Sequence, residues 1–330
     1  MKTPRFWYPR PEDRFSTLKA WGLAPLSLFF RMGTFLRRVF ASPYKAKVPV
    51  VCVGNVVAGG AGKTPTALAL ARILKDKRQK PVFVTRGTGG KGILTCVDMR
   101  THKTADVGDE ALLLAAVAPT WVCRDRAKAV REAETNGSVV IADDGLQNPN
   151  LVPTSSIVVV DADAGLGNGF IIPAGPLRET FESAMKRATA MILVGERDSQ
   201  NLAMLTDVPV FRARLEPKLP LGFPRFGRFI AFAGLARPEK FFATARSMKL
   251  DIAGTREYPD HYAYKQEDID ALRLEAEEQG ARLLTTEKDA VRLPPDFLAE
   301  VVVLPVQLIF TEPGAEKALA DIILRSADHR

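Results

Sequence analysis

Apolar runs of strand length alternate with helix-length segments along most of the chain after residue 48. Runs rich in Val and Ile without polar alternation are typical of strands that are covered on both faces, as in a parallel sheet. Such runs occupy residues 48–53, 80–87, 138–145, 156–161 and 191–195. Helical patterns at 66–75 and 111–118 lie between them, so the order predicts an α/β fold with a parallel sheet over residues 48–216.

A proline-rich stretch at 217–224, PKLPLGFP, interrupts the alternation and predicts a linker. The alternation then resumes, with strands expected at 228–233, 281–285 and 301–306 and helices at 238–248, 268–279 and 313–325. We therefore expect a second, smaller α/β domain at 225–330. The length of 330 residues agrees with two domains, because a single core rarely grows beyond about 250–300 residues.

Residues 1–47 form a basic arm that contains an apolar segment. The first 48 residues hold ten Lys or Arg and two acidic residues, which accounts for the net charge of the whole chain, +8. The apolar run at 20–30 is shorter than the ~20 residues that a spanning helix needs. Arg37 and Arg38 occupy the stretch where a signal peptide would have small cleavage-site residues. We favour an amphipathic helix on an anionic membrane surface; the alternative is a helix packed on the protein's own core.

The remaining charges and the cysteines exclude some classes of protein. Basic and acidic residues balance after residue 48, whereas a nucleic-acid enzyme is expected to carry basic charge around its groove, so we expect no nucleic-acid partner. Cys52, Cys96 and Cys123 are far apart and lack metal-ligand spacing, which indicates a reducing compartment and no disulfide framework. His102 and His329 are expected to be ordinary surface or core residues.

The first strand leads into a glycine-rich turn, GNVVAGGAGKTP at 54–65, and then into a helix. Glycines let backbone N–H groups converge on phosphate oxygens, Lys63 can reach the β- and γ-phosphates, and Thr64 can ligate Mg²⁺. Val57 stands where the usual pattern has Gly, so the loop is a GGxGKT variant. A glycine-rich turn with a chance GKT is the alternative. The strand, loop and helix order favours nucleotide binding by Val57, Ala58, Gly59, Gly60, Ala61, Gly62, Lys63 and Thr64.

Several polar residues lie where strands are predicted to end or helices to begin. Asp143 and Asp144 end the strand at 138–145, where P-loop enzymes place a carboxylate for Mg²⁺ or its waters, although two Asp before Gly can also form only a turn. Asp109 precedes a helix and is predicted either to cap it or to accept a proton from a substrate hydroxyl. His261 lies in a predicted loop among aromatic and acidic residues, which alone is weak evidence for a role.

Seven motifs follow one another along the chain: GNVVAGGAGKTP, TRGTGG, GDE, ADDGLQ, NGFIIPAGPLRE, DH and TEKDAV. With these motifs in this order, the chain resembles the tetraacyldisaccharide 4′-kinase (lipid A 4′-kinase) family of Gram-negative bacteria. The resemblance extends from the N-terminal arm to residue 289. It implies transfer of the γ-phosphate of ATP, with Mg²⁺, to the 4′-hydroxyl of a tetraacyl disaccharide 1-phosphate, forming lipid IVA. It also implies a peripheral or monotopic location at the cytoplasmic face of the inner membrane.

The resemblance also assigns expected roles to individual residues. It makes Asp109 the candidate base and His261 its partner, and it implies that Arg126 and Arg178 lie near phosphates. The candidates around Mg²⁺, beside Thr64, are Asp143, Asp144, Gln147 and Glu179. The candidate base and its partner fall in different predicted domains. If the second domain closes over the first when both substrates are present, His261 orients or tunes Asp109, and the base is complete only in the closed state.

Two departures from the family pattern and one competing function remain. Thr88 stands where the family commonly has an aromatic, which puts stacking on the nucleotide base from that position in question. Tyr262 replaces a second His, which favours His261 as the functional residue. The alternative function is a membrane-targeted P-loop ATPase of the partitioning or regulatory type. Such proteins often have Lys before GGxGKT, and Ala58 at that position counts against this alternative.

Overall fold

The computed structural model describes residues 4–9 and 14–328, so His329 lies outside the described part of the chain. Within these ranges the strands are β1 (Val50–Gly54), β2 (Pro81–Thr85), β3 (Thr95–Cys96), β4 (Thr120–Val122), β5 (Val139–Asp143), β6 (Ser155–Asp161), β7 (Ala190–Val194), β8 (Val210–Pro217), β9 (Arg228–Ala233), β10 (Asp251–Glu257), β11 (Ala281–Thr286), β12 (Val301–Leu304) and β13 (Val306–Phe310). The helices are α1 (Arg14–Val39), α2 (Lys63–Asp76), α3 (Thr104–Val107), α4 (Asp109–Ala115), α5 (Arg126–Ala133), α6 (Phe181–Met185), α7 (Pro238–Ser247), α8 (Gln266–Glu278), α9 (Glu287–Ala290), α10 (Pro295–Leu298) and α11 (Ala315–Asp328).

The larger sheet has nine strands in the order β13-β8-β7-β6-β1-β5-β2-β4-β3. The strands from β8 to β4 pair in parallel, and β13 and β3 pair antiparallel at the two edges. β1 lies between β6 and β5 and is buried along its whole length, as an apolar run covered on both faces should be. The carboxyl ends of the parallel strands meet at one edge of the sheet, so the loops after β1, β5 and β6 gather there.

The smaller sheet has four parallel strands in the order β10-β9-β11-β12. Successive side chains of a strand point to opposite faces, so β9 contributes Phe229 to one core cluster and Phe232 to another. Phe241 of α7 packs in the first cluster and Leu272 of α8 in the second. Helices therefore cover both faces of this sheet, and the predicted α/β fold is confirmed.

The C-terminal end of the chain differs from the sequence-based division. The sequence predicts one strand at 301–306 in the smaller domain, but β12 ends at Leu304 in the smaller sheet and β13 pairs with β8 of the larger sheet. Pro305 lies between them and cannot donate a ladder hydrogen bond. α11 then packs on α2, where Leu319 and Ile323 join the core of the larger sheet. The smaller layer therefore ends at residue 304, and residues 306–328 belong with the larger one.

Helix α1 packs against the larger layer along one narrow face. Ser27 Oγ donates a hydrogen bond to the Ile171 carbonyl at 2.7 Å, and Phe30 is partly buried against the core. The outward face exposes Phe15, Leu18, Leu26, Leu28, Phe29, Met32, Phe35 and Leu36. Within residues 4–9 and 14–328, no helix has the length and apolar character needed to span a membrane.

Candidate active site

The glycine-rich turn between β1 and α2 forms a cradle of backbone N–H groups. Gly59 and Gly62 have φ angles of +124° and +83°, which glycine adopts without a steric penalty. α2 begins at Lys63, and no side chain caps it in the described structure, so its first N–H groups stay available to an anion. The Ala58 N–H donates a hydrogen bond to the Pro176 carbonyl at 2.8 Å, which connects the turn to the loop before α6. The turn can therefore hold phosphate oxygens.

Lys63 and Arg178 reach the same carboxylate at the mouth of this turn. Lys63 Nζ lies 3.6 Å from Asp144 Oδ1, and Arg178 Nη1 donates to that oxygen at 2.9 Å. Burial opposes ionisation of Asp144, but the two cations outweigh burial, so the pKa of Asp144 lies below its usual value. Two cations beside one carboxylate leave a net positive charge, which can stabilise the negative charge of a phosphate during transfer.

Asp143 and Thr64 provide oxygen ligands for a hard cation. Asp143 ends β5, is 1% exposed, and accepts a hydrogen bond from Thr64 Oγ1 at 3.2 Å. Burial, followed by the nearby Glu110 and Asp144 carboxylates, raises the pKa of Asp143 to about 7 against the opposing effect of Lys63. A bound dication would stabilise the ionised form of this carboxylate.

The donor set fits Mg²⁺ bound jointly by protein and nucleotide. No cluster of three His, Cys, Asp or Glu side chains suited to a metal ion occurs among residues 4–9 and 14–328. Mg²⁺ does not require such a cluster, since it commonly binds one or two carboxylates together with waters and substrate phosphates. A threonine hydroxyl at the start of α2 and an aspartate at the end of β5 meet that requirement.

Gln147 and Glu179 form a separate network beside this pair of oxygen ligands. Gln147 Nε2 donates to the Asn55 carbonyl at 2.8 Å and to Glu179 Oε1 at 3.2 Å. Glu179 Oε2 accepts hydrogen bonds from Arg187 at 2.7 Å and from Arg38 of α1 at 3.2 Å. The network connects the end of α1 to the site, and a role of either residue in Mg²⁺ binding stays a prediction.

Asp109 and His261 are in contact, although they belong to elements of different sheets. Asp109 begins α4 and is 4% exposed, and His261 Nδ1 lies 2.9 Å from Asp109 Oδ2. His261 follows β10 in a turn with φ +58°, and its side chain is 36% exposed. Its other ring nitrogen, Nε2, lies 3.4 Å from Lys288 Nζ. The accessible group of the pair is therefore the imidazole rather than the carboxylate.

Arg292, which the sequence pattern does not single out, anchors Asp109. Arg292 Nε donates to Asp109 Oδ2 at 3.0 Å, and Nη2 donates to the same oxygen. Arg292 Nη1 donates to the Gly234 carbonyl at 2.9 Å and to Asp289 Oδ1 at 3.2 Å. Burial opposes ionisation of Asp109, but His261 and the neighbouring cations outweigh burial and hold the pKa of Asp109 well below its usual value. Asp109 is therefore ionised near neutral pH.

The sequence holds only a partial signal for this arginine. Asp289 and Arg292 are three residues apart, a spacing that indicates a local ion pair on a helix. The sequence does not reveal that Asp289 is fully buried and also accepts from the Gly234 N–H and the Tyr264 hydroxyl, each at 2.8 Å. Nor does it reveal that the guanidinium reaches across to Asp109, 183 residues away.

Glu110 links the Asp109 and His261 pair to the neighbourhood of the phosphate cradle. Glu110, the next residue after Asp109, is close enough to Asp143 to raise the pKa of Asp143. Glu110 Oε1 also lies 3.9 Å from Lys288 Nζ, which is the neighbour of His261 Nε2. An acceptor hydroxyl can therefore be aligned with a phosphate bound at the cradle.

Arg126 and Arg178 lie at the edge of the same region. Arg126 begins α5 and is 9% exposed. Both arginines line a cavity of about 430 Å³ together with Asp144. The structure thus brings both residues near the carboxylate at the mouth of the phosphate cradle. Their position close to phosphates stays a prediction.

The sequence profile of the tetraacyldisaccharide-1-P 4′-kinase family, LpxK, matches residues 19–324. The chain belongs to this family. The tetraacyldisaccharide 4′-kinase of Parvibaculum lavamentivorans is 47% identical over 300 residues, which cover 89% of this chain and 87% of that protein. The tetraacyldisaccharide 4′-kinase of a Jannaschia species is 45% identical over 333 residues, which cover 98% of this chain and 99% of that protein.

A solved LpxK structure has the same overall fold. The crystal structure of LpxK from Aquifex aeolicus in complex with ATP matches this chain with a TM-score of 0.76 and 25% sequence identity. The match covers 93% of this chain and 99% of that chain. The family assignment therefore applies to both the smaller and the larger sheet, and ATP is the nucleotide bound in a protein of the same family.

Proposed function

We propose that this LpxK-family protein transfers the γ-phosphate of ATP to the 4′-hydroxyl of a tetraacyl disaccharide 1-phosphate. The observation that carries the proposal is the 2.9 Å contact between Asp109 and His261, in a chain that also has the phosphate cradle. A phosphate loop alone suits many nucleotide hydrolases, whereas a proton-accepting pair facing it suits transfer to an alcohol. Family membership identifies the alcohol.

One set of residues binds the phosphates of ATP and Mg²⁺. The backbone of residues 57–64 binds the phosphates of ATP, Lys63 and Arg178 neutralise charge on the transferring group, and Thr64 and Asp143 hold Mg²⁺. Mg²⁺, when bound, supplies further neutralisation of the phosphate oxygens. Phosphoryl transfer needs little from a protein beyond alignment and charge neutralisation, and these residues supply both.

His261 and Asp109 act on the acceptor hydroxyl. Its oxygen bonds to the γ-phosphorus while the bond from that phosphorus to the bridging oxygen breaks, which releases ADP. The hydroxyl proton passes to the pair. The neighbouring His261, Lys288 and Arg292 keep Asp109 ionised against the effect of burial, and burial leaves its carboxylate largely enclosed. The accessible imidazole of His261 therefore meets the hydroxyl, and Asp109 orients the ring and stabilises it when it is protonated.

Helix α1 places the protein on an anionic membrane surface at the cytoplasmic face of the inner membrane. Its outward face exposes a row of large apolar side chains, including Leu28, Phe29 and Phe35. Arg31 and Arg37 lie on the same helix and can meet anionic head groups, whereas Arg38 is paired with Glu179. The acyl chains of the acceptor would then stay in the membrane while its sugar head group reaches the cleft.

The experiment that tests the proposal follows labelled phosphate. Purified protein, Mg²⁺ and ATP labelled at the γ-phosphate are incubated with the tetraacyl disaccharide 1-phosphate in mixed micelles, and products are separated by thin-layer chromatography. The proposal predicts label in a more polar lipid and little free phosphate without acceptor. Rapid release of free phosphate that the acceptor does not change would instead support the membrane-targeted ATPase.

A further inference from the structure

Lys288 places an ammonium group against the catalytic pair from the smaller layer. It lies in α9, directly after β11, and its side chain is 24% exposed. Its Nζ lies 3.4 Å from His261 Nε2, the ring nitrogen opposite the one that faces Asp109. Nζ is also 3.9 Å from Glu110 Oε1 and 3.6 Å from Asp260 Oδ1. One ammonium group therefore adjoins both the catalytic imidazole and two further carboxylates.

The partners of the imidazole decide which of its nitrogens can take a proton. Asp109 is ionised near neutral pH, so the Nδ1 that lies 2.9 Å from its carboxylate carries the ring hydrogen. The lone pair of the neutral ring is then on Nε2, which is the atom that can accept a hydroxyl proton. An ammonium group can donate but cannot accept, so Lys288 directs an N–H at this lone pair. The reactive nitrogen therefore already has a hydrogen-bond donor.

Charged groups face the ring of His261 on both sides. Arg292 Nη2 lies 3.5 Å from Nδ1, on the side of Asp109. Asp260 Oδ2 lies 3.8 Å from Nε2, on the side of Lys288. Each of the two aspartates thus has a cation beside it. Removal of the Lys288 ammonium would leave Nε2 next to an uncompensated carboxylate, which favours the protonated ring.

The backbone fixes the ring, whereas the lysine stem can move. His261 has a φ of +58° in a turn that the Tyr262 N–H closes on the Pro259 carbonyl at 3.1 Å. The four-carbon stem of Lys288 is flexible, and its ammonium can pair with Glu110 or Asp260 without the ring. Nζ can therefore leave Nε2 and keep a carboxylate partner.

We propose that Lys288 is a positioning residue, which occupies the proton-accepting nitrogen of His261 until the acceptor hydroxyl displaces it. The inference rests on the proposed function, in which His261 takes the hydroxyl proton. While Lys288 donates to Nε2, a water molecule beside the γ-phosphate has no base. When the acceptor binds, the ammonium moves to Glu110 and Asp260, and Nε2 meets the hydroxyl.

The step that Lys288 opposes is hydrolysis of ATP. In that step a water oxygen bonds to the γ-phosphorus, one proton of the water passes to His261 Nε2, and the electron pair of the broken bond leaves with ADP. Transfer to the lipid needs the same base, but the acceptor has binding energy from its sugars and acyl chains with which to displace the ammonium. Water lacks that binding energy, so the lysine discriminates between the two nucleophiles.

The test removes the charge of Lys288 in two ways and keeps it in a third. Lys288→Met and Lys288→Gln are neutral, and Lys288→Arg retains a cation. Lys317→Met, at an exposed position of α11, is the matched control. For each full-length protein, release of free phosphate from ATP is measured without acceptor. Lipid phosphorylation is measured with the tetraacyl disaccharide 1-phosphate in neutral detergent micelles, and initial rates give kcat and the KM for ATP.

Phosphate release is compared at pH ~8.5, about two units above the ordinary titration of an imidazole, so that the ring is neutral in every variant. Each neutral variant is expected to raise release about tenfold, as for the loss of one hydrogen bond at a charged group. The KM for ATP should change less than about twofold, because the phosphate loop is untouched. Lys288→Arg should fall between wild type and the neutral variants, since it keeps the charge in a different shape.

The pH profile of lipid phosphorylation gives a second readout, which a purely structural lysine would not change. Without the ammonium, the ring is protonated more readily and loses its function as a base at a higher pH. The acidic limb of the kcat profile should therefore move upward by about one pH unit in both neutral variants. It should stay in place in Lys317→Met.

The outcomes separate this inference from the proposed function. If wild type forms no lipid product, the proposed function itself fails. If wild type phosphorylates the lipid while both neutral variants match Lys317→Met in phosphate release and in the acidic limb, the role of Lys288 is wrong and the proposed function stands. A KM for ATP that rises tenfold or more would also overturn the role, because it would place Lys288 on ATP rather than on His261.

Discussion

Arg292 provides a quantitative test of how the two sheets hold the catalytic pair. Its side chain is 4% exposed and lies between Asp109, which is 4% exposed, and Asp289, which is fully buried. Replacement by Leu leaves both carboxylates buried without this cation. Removal of one partner of a buried ion pair costs about 3–5 kcal/mol, a large fraction of the roughly 5–15 kcal/mol that stabilises a typical domain.

Urea unfolding, with activity measured in parallel, checks this magnitude. Arg292→Leu is expected to lose about 3–5 kcal/mol of unfolding free energy, and Arg292→Lys less, since it keeps the charge but lacks the planar fork. Adding Asp109→Asn to Arg292→Leu should restore part of the loss, because one uncompensated charge is removed. Arg246→Leu, at an exposed position of α7, is the matched control. A loss no greater than that of the control, with unchanged kcat, would refute the reasoning.

Three further predictions concern the phosphate loop, the catalytic pair and the arm. Lys63→Ala should abolish transfer and leave the fold intact, since Lys63 is the first residue of α2 and offsets charge on the transferring phosphate. Near-normal activity of a folded variant would exclude the assignment. Asp109→Ala and His261→Ala should each lower kcat far more than they raise the KM for ATP, and the double variant should lose less than the product of the two effects. Strictly multiplicative losses would show that the two residues do not act as a pair. The double variant Leu28→Glu, Phe29→Glu should reduce sedimentation with anionic vesicles more than the control Arg282→Ala, at an exposed position of β11, does. Binding of the wild type to the vesicles should weaken as salt is added, because surface attraction is screened within about 8 Å at physiological ionic strength. Equal sedimentation of the double variant and the control would show that α1 serves only as a core helix.

The positions of the central strands along the chain and the phosphate loop could be predicted because both have strong local signals. Val and Ile runs identified the central strands, and the strand, loop and helix order located the turn that ends at Lys63. The return of the chain to the larger sheet could not be predicted in this way. Pro305 separates two short apolar strands, and only the position of β8 decides which sheet the second one joins.

Parts of the candidate site depend on contacts that are distant in the sequence. The pairing of Asp109 with His261 was expected only from the family resemblance, because 152 residues separate them. Arg292 was missed, since its partner in the larger layer carries no signal near residue 292. The sequence allows two positions for the arm, on a membrane surface or on the protein's own core. In the structure Phe30 packs on the core and Phe29 is exposed, and membrane binding by the exposed face stays a prediction.

The most direct test of the central claim is the position of the transferred phosphate in the product. Phosphorus–proton correlation NMR of the purified lipid product, with ADP measured in the same reaction, locates the new ester and gives the stoichiometry. We expect one ADP for each new phosphomonoester, bonded to the 4′-oxygen, with the 1-phosphate unchanged. A phosphate attached at any other oxygen, or ADP formed without a lipid product, would contradict it.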